Sequence, residues 1–336
     1  MVQGTRTPSV SRRHFIAGGA SLAALSLMAT RVSHGVSAQS SSDLTSLGYP
    51  ELDITVTNTT FEGVPDSTAA GRYLVNVTNQ MDENANGPAI AAFMSPTPVG
   101  MTAAEFLEAL SGMGGGGAAA SPAADGNEGD QENSDEESGP LPLFIYQIYF
   151  AGGVAAAPGQ AGQAVVDLKP GEYVVWGDDP SMPQQPVVMT VTGDFPENVQ
   201  DPDADITATL IDFAIQFEGN LTPGSHIMKV QHQGAQPHFL EVDKGPDSMT
   251  KDQVMAALMS EGSATPAADG LDESAIQPVF YSPTQSIGTV TFQNIDFEEG
   301  TFLAACFFPT AGTGVPHAME GMIDVFKVSG EATPQA

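Results

Sequence analysis

The sequence predicts an all-β chain of two related halves, and three observations lead there. With 36 glycines and 25 prolines among 336 residues, the chain is punctuated too often for long helices. Between the punctuation lie short runs of Val, Ile, Thr and Phe that alternate at period two, the mark of half-buried strands. Five segments then recur in the same order in both halves, which points to a tandem duplication.

Residues 1–38 read as a twin-arginine export signal. Arg12-Arg13 precedes the weakly apolar run 17–28, and Val36-Ser37-Ala38 offers a small-residue cleavage site. The run is shorter than the ~20 residues that span a bilayer, and no later segment is long and apolar enough to do so. The expected location is outside the cytoplasm: extracellular, periplasmic or at the cell surface. The signal carries four arginines and no acid, so its removal moves the formal charge from −31 to about −35. Such a surface repels nucleic acid and anionic lipid and suits a basic docking face on a partner. A single cysteine, Cys306, excludes an intramolecular disulfide.

A Ser-rich leader, 39–50, opens the mature chain. The first unit, 51–193, is expected to hold strands at 52–57, 71–79, 88–94, 143–150, 164–167, 172–176 and 187–191. Its one helix is placed at 101–110, where Thr102 and Glu105 form a capping box ahead of Phe106, Leu107 and Leu110. The Gly-rich and acidic stretch 111–139 cannot bury a core and reads as a disordered loop. A Pro- and Asp-rich linker, 194–205, leads to the second unit, 206–330, and the tail 331–336. In the second unit 208–217 reads as one strand. Pro237-His238-Phe239-Leu240-Glu241-Val242 matches 88–93, and the helix at 249–258 repeats the first with Gln253 in the capping place.

Overlaying the halves isolates what is special to the second. His238 falls opposite Ala89, and Cys306 opposite Gly177. The loop 307–322, with His317, Met319 and Met322, falls opposite a shorter loop without histidine. Thiolate, imidazole and thioether together are soft ligands suited to copper. The first half has none of them at these places.

These residues make the second half resemble the cupredoxins over roughly 205–330, and the first half follows through the repeat. The resemblance implies two Greek-key β-sandwiches, each with a short helical insertion, the first a degenerate copy. It implies one type 1 copper ion held by His238 and His317 as equatorial imidazoles, Cys306 as thiolate and Met322 as axial ligand, with Met319 as a competing thioether. It further implies a one-electron carrier, not an enzyme, that serves a redox partner protein. Two features depart from the family pattern: ten residues separate Cys306 from His317, and Gln231-His232-Gln233 replaces the usual Asn ahead of the first His strand.

Other functions compete. Only His226, His232, His238 and His317 remain outside the signal, without a His-x-His pair, which excludes the trinuclear centre of a multicopper oxidase. Zinc fits the same Cys and two His chemically. No motif places an orienting Asn or Asp for a thiol hydrolase. His226 and His232 share a strand face and read as partly exposed strand histidines or a secondary metal patch. A copper-free extracellular binding or structural module, and a Cu(I) holding protein using Met319 and Met322, are the alternative functions.

Overall fold

The computed structural model describes residues 44–82, 88–114, 141–157, 159–177, 184–260 and 271–330. The export signal, the tail and nearly all of the acidic stretch lie outside the described residues. Among the described residues no helix is long and apolar enough to cross a membrane.

The first half contributes β1 (Glu51–Val56), β2 (Phe61–Glu62), β3 (Ser67–Ala69), β4 (Gly71–Asn79), β5 (Ala89–Ser95), α1 (Ala103–Gly114), β6 (Tyr149–Ala156), β7 (Ala161–Leu168), β8 (Gly171–Trp176) and β9 (Val187–Thr192). The second contributes β10 (Ile206–Ile211), β11 (Ala214–Gly219), β12 (Gly224–His232), β13 (His238–Gly245), α2 (Lys251–Ser260), β14 (Gln277–Gln285), β15 (Val290–Phe297), β16 (Gly300–Ala305) and β17 (Ile323–Val328). The all-β class and the paired sandwiches, each with one helical insertion, are what the structure shows.

Two sheets run unbroken through both halves. One has the order β11-β10-β12-β15-β7-β4-β1-β2, the other β17-β16-β13-β14-β6-β5-β8-β9-β3. Each order is nearly palindromic in repeat equivalents, so the halves meet about a pseudo-two-fold axis. At that axis Gln293 of β15 pairs antiparallel with Ala164 of β7, and Gln285 of β14 pairs with Ala151 of β6. Within each half a parallel pair, β1 with β4 and β10 with β12, shows the same duplicated register.

Alternation explains which faces are inside. In β4 and β7 the residues Val75, Val77, Ala164 and Val166 turn inward against Phe93 and Val175 of the opposing sheet. Leu210, Val230, Leu240, Val242 and Phe302 do the same in the second half. Both helices begin as expected. The Thr102 backbone N–H donates to Glu105 Oε2 at 2.8 Å, and the Glu105 N–H donates back to Thr102 Oγ1 at 3.2 Å. Thr250 and Gln253 repeat the exchange at 3.0 and 3.3 Å.

Three expectations need correction. Helix α1 continues to Gly114, past the boundary drawn at residue 111. The segment 143–150 is not one strand: Leu143–Tyr146 forms a 3-10 turn behind Pro142, and the strand starts at Tyr149. An unbroken apolar run does not distinguish the two by pattern. The run 208–217 is a hairpin whose turn is Asp212-Phe213, with Ile211 paired to Ala214. Phe213 holds a left-handed φ of 63°, where glycine or asparagine is the usual signal.

The segment before β10 is pinned to the sheet by Arg72. Its guanidinium donates to both oxygens of Asp167 at 2.6 and 2.9 Å and to Asp201 Oδ1 at 2.7 Å, and lies over the Phe292 ring. Arg72 is buried and Asp201 half-exposed. Removing the cation leaves the partly buried Asp167 without its partner while Asp201 keeps Lys229, so Arg72→Met is expected to cost roughly 1–3 kcal/mol, read as a lower urea midpoint.

Helix α2 packs over β16, β17 and the turn at His317–Glu320. Val254 packs there with Leu303 and Ala305. Asp243 pairs with Leu303 and Glu241 with Ala305, so both acids share that covered face. Asp243 is buried, and neither of its carboxyl oxygens finds a hydrogen bond among the described residues. In the first half the matching positions are Ala92 and Met94.

Candidate metal centre

The donor residues come from three places at one end of the second sandwich. His238 opens β13. Cys306 is the residue after β16, and His317 begins a 3-10 turn, His317–Glu320, behind Pro316. Met322 stands immediately before β17.

The long span between Cys306 and His317 folds back by backbone pairing. His317 N–H donates to Phe308 C=O at 2.9 Å, Met322 N–H to His317 C=O at 2.9 Å, and Cys306 N–H to Met322 C=O at 3.2 Å. Residues 309–316 form an excursion closed by Thr310 N–H to Val315 C=O at 2.7 Å. Its tip is tied to the strand entering the site, since Ala311 N–H donates to Gln236 Oε1 at 2.7 Å. Gly321, at a φ of 112°, ends the 3-10 turn in the left-handed region and returns the chain to Met322.

The result is a closed triangle of donor atoms. His238 Nδ1 and His317 Nδ1 lie 2.9 Å apart, and Cys306 Sγ lies 3.8 and 3.7 Å from them. All three residues are fully buried. A point equidistant from the three atoms lies roughly 2 Å from each, matching a metal–imidazole bond of ~2.0–2.1 Å and falling a little inside a metal–thiolate bond of ~2.3 Å. Met322 is also fully buried and belongs to the same apolar cluster as Cys306, whereas Met319 is only half-buried. Among the described residues this is the one group of three His, Cys or acidic side chains close enough to hold an ion. Two imidazoles and a thiolate in a trigonal set fit a single type 1 copper ion.

The surroundings set the charge of each donor. Burial pushes the Cys306 thiol up to about 12, only partly offset by the backbone amides of Phe308 and Phe239. Burial, then the neighbouring His317 and His232, brings His238 down to about 3. Burial brings His317 down to about 4. Both imidazoles are therefore neutral at pH 7 and present lone pairs, the state a metal requires.

Asp212 and Phe213 escaped sequence reasoning, and Gly234 and His232 were read without the places they take here. Asp212 Oδ1 lies 3.0 Å from His238 Nε2. The same carboxylate accepts the backbone N–H groups of Ala235 at 3.0 Å and Gln236 at 3.1 Å. Gly234 lets it approach, because a Cβ there would sit 2.5 Å from Asp212 Oδ1 and 2.6 Å from His238 Nε2. His232, expected to be partly exposed, is buried and stacked on His238 with ring centroids 4.8 Å apart and planes at 22°. Phe213 meets His317 edge to face at 5.5 Å. The other strand histidine, His226, bonds to Thr222 C=O at 2.8 Å and stands outside the donor group. In the first half Ala89 opens β5 and Gly177 follows β8, so no donor stands at either place.

No family model matches the sequence, and no curated protein matches it. Solved structures similar to the chain include a dithionite-reduced auracyanin from Roseiflexus castenholzii, 15% identical over 36% of this chain and 94% of that one, with a TM-score of 0.23. Auracyanin A from Chloroflexus aurantiacus, described as a blue copper protein, is 17% identical over 36% and 95%, with a TM-score of 0.23. A copper nitrite reductase from Nitrosomonas europaea is 11% identical over 85% and 96%, with a TM-score of 0.22. These likenesses are loose, and the site stands on its own donor geometry.

Proposed function

We propose that the protein is an exported one-electron carrier with a single type 1 copper site in its second half. The supporting observation is the buried triangle of His238 Nδ1, His317 Nδ1 and Cys306 Sγ. Met322 completes the reading as the weak axial ligand. A copper ion bound there supplies one reversible electron.

The chain's own residues supply rigidity and dryness. The backbone bonds that lace Cys306, Phe308, His317 and Met322 together hold the donors in one arrangement, so little has to move when the charge of the site changes. Phe213 and Phe308 flank His317 and keep water from its ring. Export is carried by Arg12-Arg13 and the run behind them, and the acidic surplus suits a partner with a basic face. No catalytic step is assigned, because four histidines outside the signal do not furnish a second copper centre.

Adding Cu(II) to the folded, signal-free protein is expected to give one equivalent of uptake and an intense thiolate-to-copper band in the visible. In Cys306→Ser the band disappears while the β-rich far-UV spectrum stays. A colourless wild-type protein without stoichiometric copper sinks the carrier reading and leaves a copper-free binding module. Uptake of Cu(I) alone that survives Cys306→Ser but not loss of Met319 and Met322 indicates a holding protein.

A further inference from the structure

The two imidazoles of the triangle are held very differently. His317 Nε2 is buried and makes no hydrogen bond among the described residues, so its ring is positioned by packing against Phe213 and Phe308. His238 Nε2 instead meets the carboxylate of Asp212. That carboxylate is itself fixed by two backbone N–H donors from the turn leading into β13. The turn is anchored in its own right, since Gln233 and Gly234 N–H both reach Leu210 C=O at 2.8 and 3.2 Å. The packing is close enough that residue 234 has no room for a side chain.

An ionised carboxylate only accepts, so the ring nitrogen facing it must carry the hydrogen. The other nitrogen, Nδ1, is then left with its lone pair inside the triangle. We propose that Asp212 is a positioning residue for the copper site: it fixes His238 as the Nε2–H tautomer, aims Nδ1 at the ion's place, and through its charge favours Cu(II) over Cu(I). This rests on the copper reading above for its redox part and on the metal-free protein for its tautomer part. A carboxylate behind a ligating imidazole raises the ligand's basicity, and its loss typically weakens metal binding 10–100-fold. A negative charge there stabilises the more highly charged ion more.

The test uses wild type, Asp212→Asn and Gly234→Ala. Ring-nitrogen chemical shifts of His238 in the metal-free wild type are expected to report a single Nε2–H form. A mixture is expected in Asp212→Asn and in Gly234→Ala, whose added Cβ crowds the pair. After copper loading, Asp212→Asn is expected to lose 10–100-fold in Cu(II) affinity and less in Cu(I) affinity. Each tenfold gap between the two losses appears as a rise of about 59 mV in reduction potential. Gly234→Ala keeps the charge, so its potential is expected to move less while both affinities fall together. If Asp212→Asn keeps the His238 tautomer and the ratio of the two affinities, and only melts earlier, Asp212 is a turn brace and the proposal is overturned. If Asp212→Asn does not fold, the tautomer in Gly234→Ala decides. A wild-type protein that takes no copper refutes the carrier reading separately, and the metal-free nitrogen shifts still decide this one.

Discussion

Copper(II) uptake is expected to strengthen about tenfold with each pH unit between about pH 5 and 8. The Cys306 thiol is pushed up to about 12 by burial and so keeps its proton throughout this range. A metal binds the thiolate, so each ion taken up must expel that proton. The imidazoles add nothing to the count: His238 lies near 3 and His317 near 4, and both are already neutral above pH 5. One proton released per ion gives a slope of one in a plot of log affinity against pH. Chelator competition across the range measures it once the chelator's own protonation is subtracted. A slope near zero removes Cys306 from the ligand set, and a slope near two requires an imidazole that is still protonated in the metal-free protein.

Glu241→Gln is expected to gain stability relative to wild type as pH rises from about 4.5 to 7, on a background in which the buried, neutral His232, His238 and His317 favour the folded chain more as pH rises. Burial pushes the Glu241 carboxyl up to about 7. Burial, and then Glu241 itself, holds the Asp243 carboxyl well above the usual range. With their folded-state values above the unfolded ones, these two carboxyls hold more protons in the folded chain inside the window, so their own contribution to stability falls as the pH rises. For Glu241 alone the contribution is roughly 3 kcal/mol between the two ends. The other acids and the buried histidines act in both proteins alike, so the difference in urea midpoint between wild type and Glu241→Gln at pH 5 and pH 8 isolates the Glu241 carboxyl. Equal pH slopes in the two proteins would show that the carboxyl reaches water.

The parts of this molecule that are written locally were legible. The two capping boxes are four-residue codes and appear as written. The overlay of the halves placed His238 at the head of a strand, because strand order survives duplication even where side chains do not. Cys306, His317 and Met322 were legible as a set of soft atoms in one loop. What escaped depends on contacts between distant segments. Asp212 was hidden inside an apparent single strand, since its turn uses a left-handed Phe213 in place of the glycine that marks such a bend. His232 looked half-exposed because period two says which residues share a face but not which face is covered. Glu241 and Asp243 alternate with apolar residues as on a solvated strand, yet Asp243 is buried. The joining of the halves into common sheets leaves no local mark, because hydrogen-bond rows of any sequence can pair.

The pairing across the pseudo-two-fold axis gives the donor-free half a task independent of metal. Without it, Thr291 to Gln293 of β15 and Gln285 of β14 would lose their cross-strand partners at the rim of the second half, an opening for another chain. The first half takes the place that an identical subunit would occupy in a symmetric homodimer, and covalent linkage keeps it there at any dilution. That role is met by strands alone, and the half with Ala89 and Gly177 at the donor places keeps the full strand order of its twin.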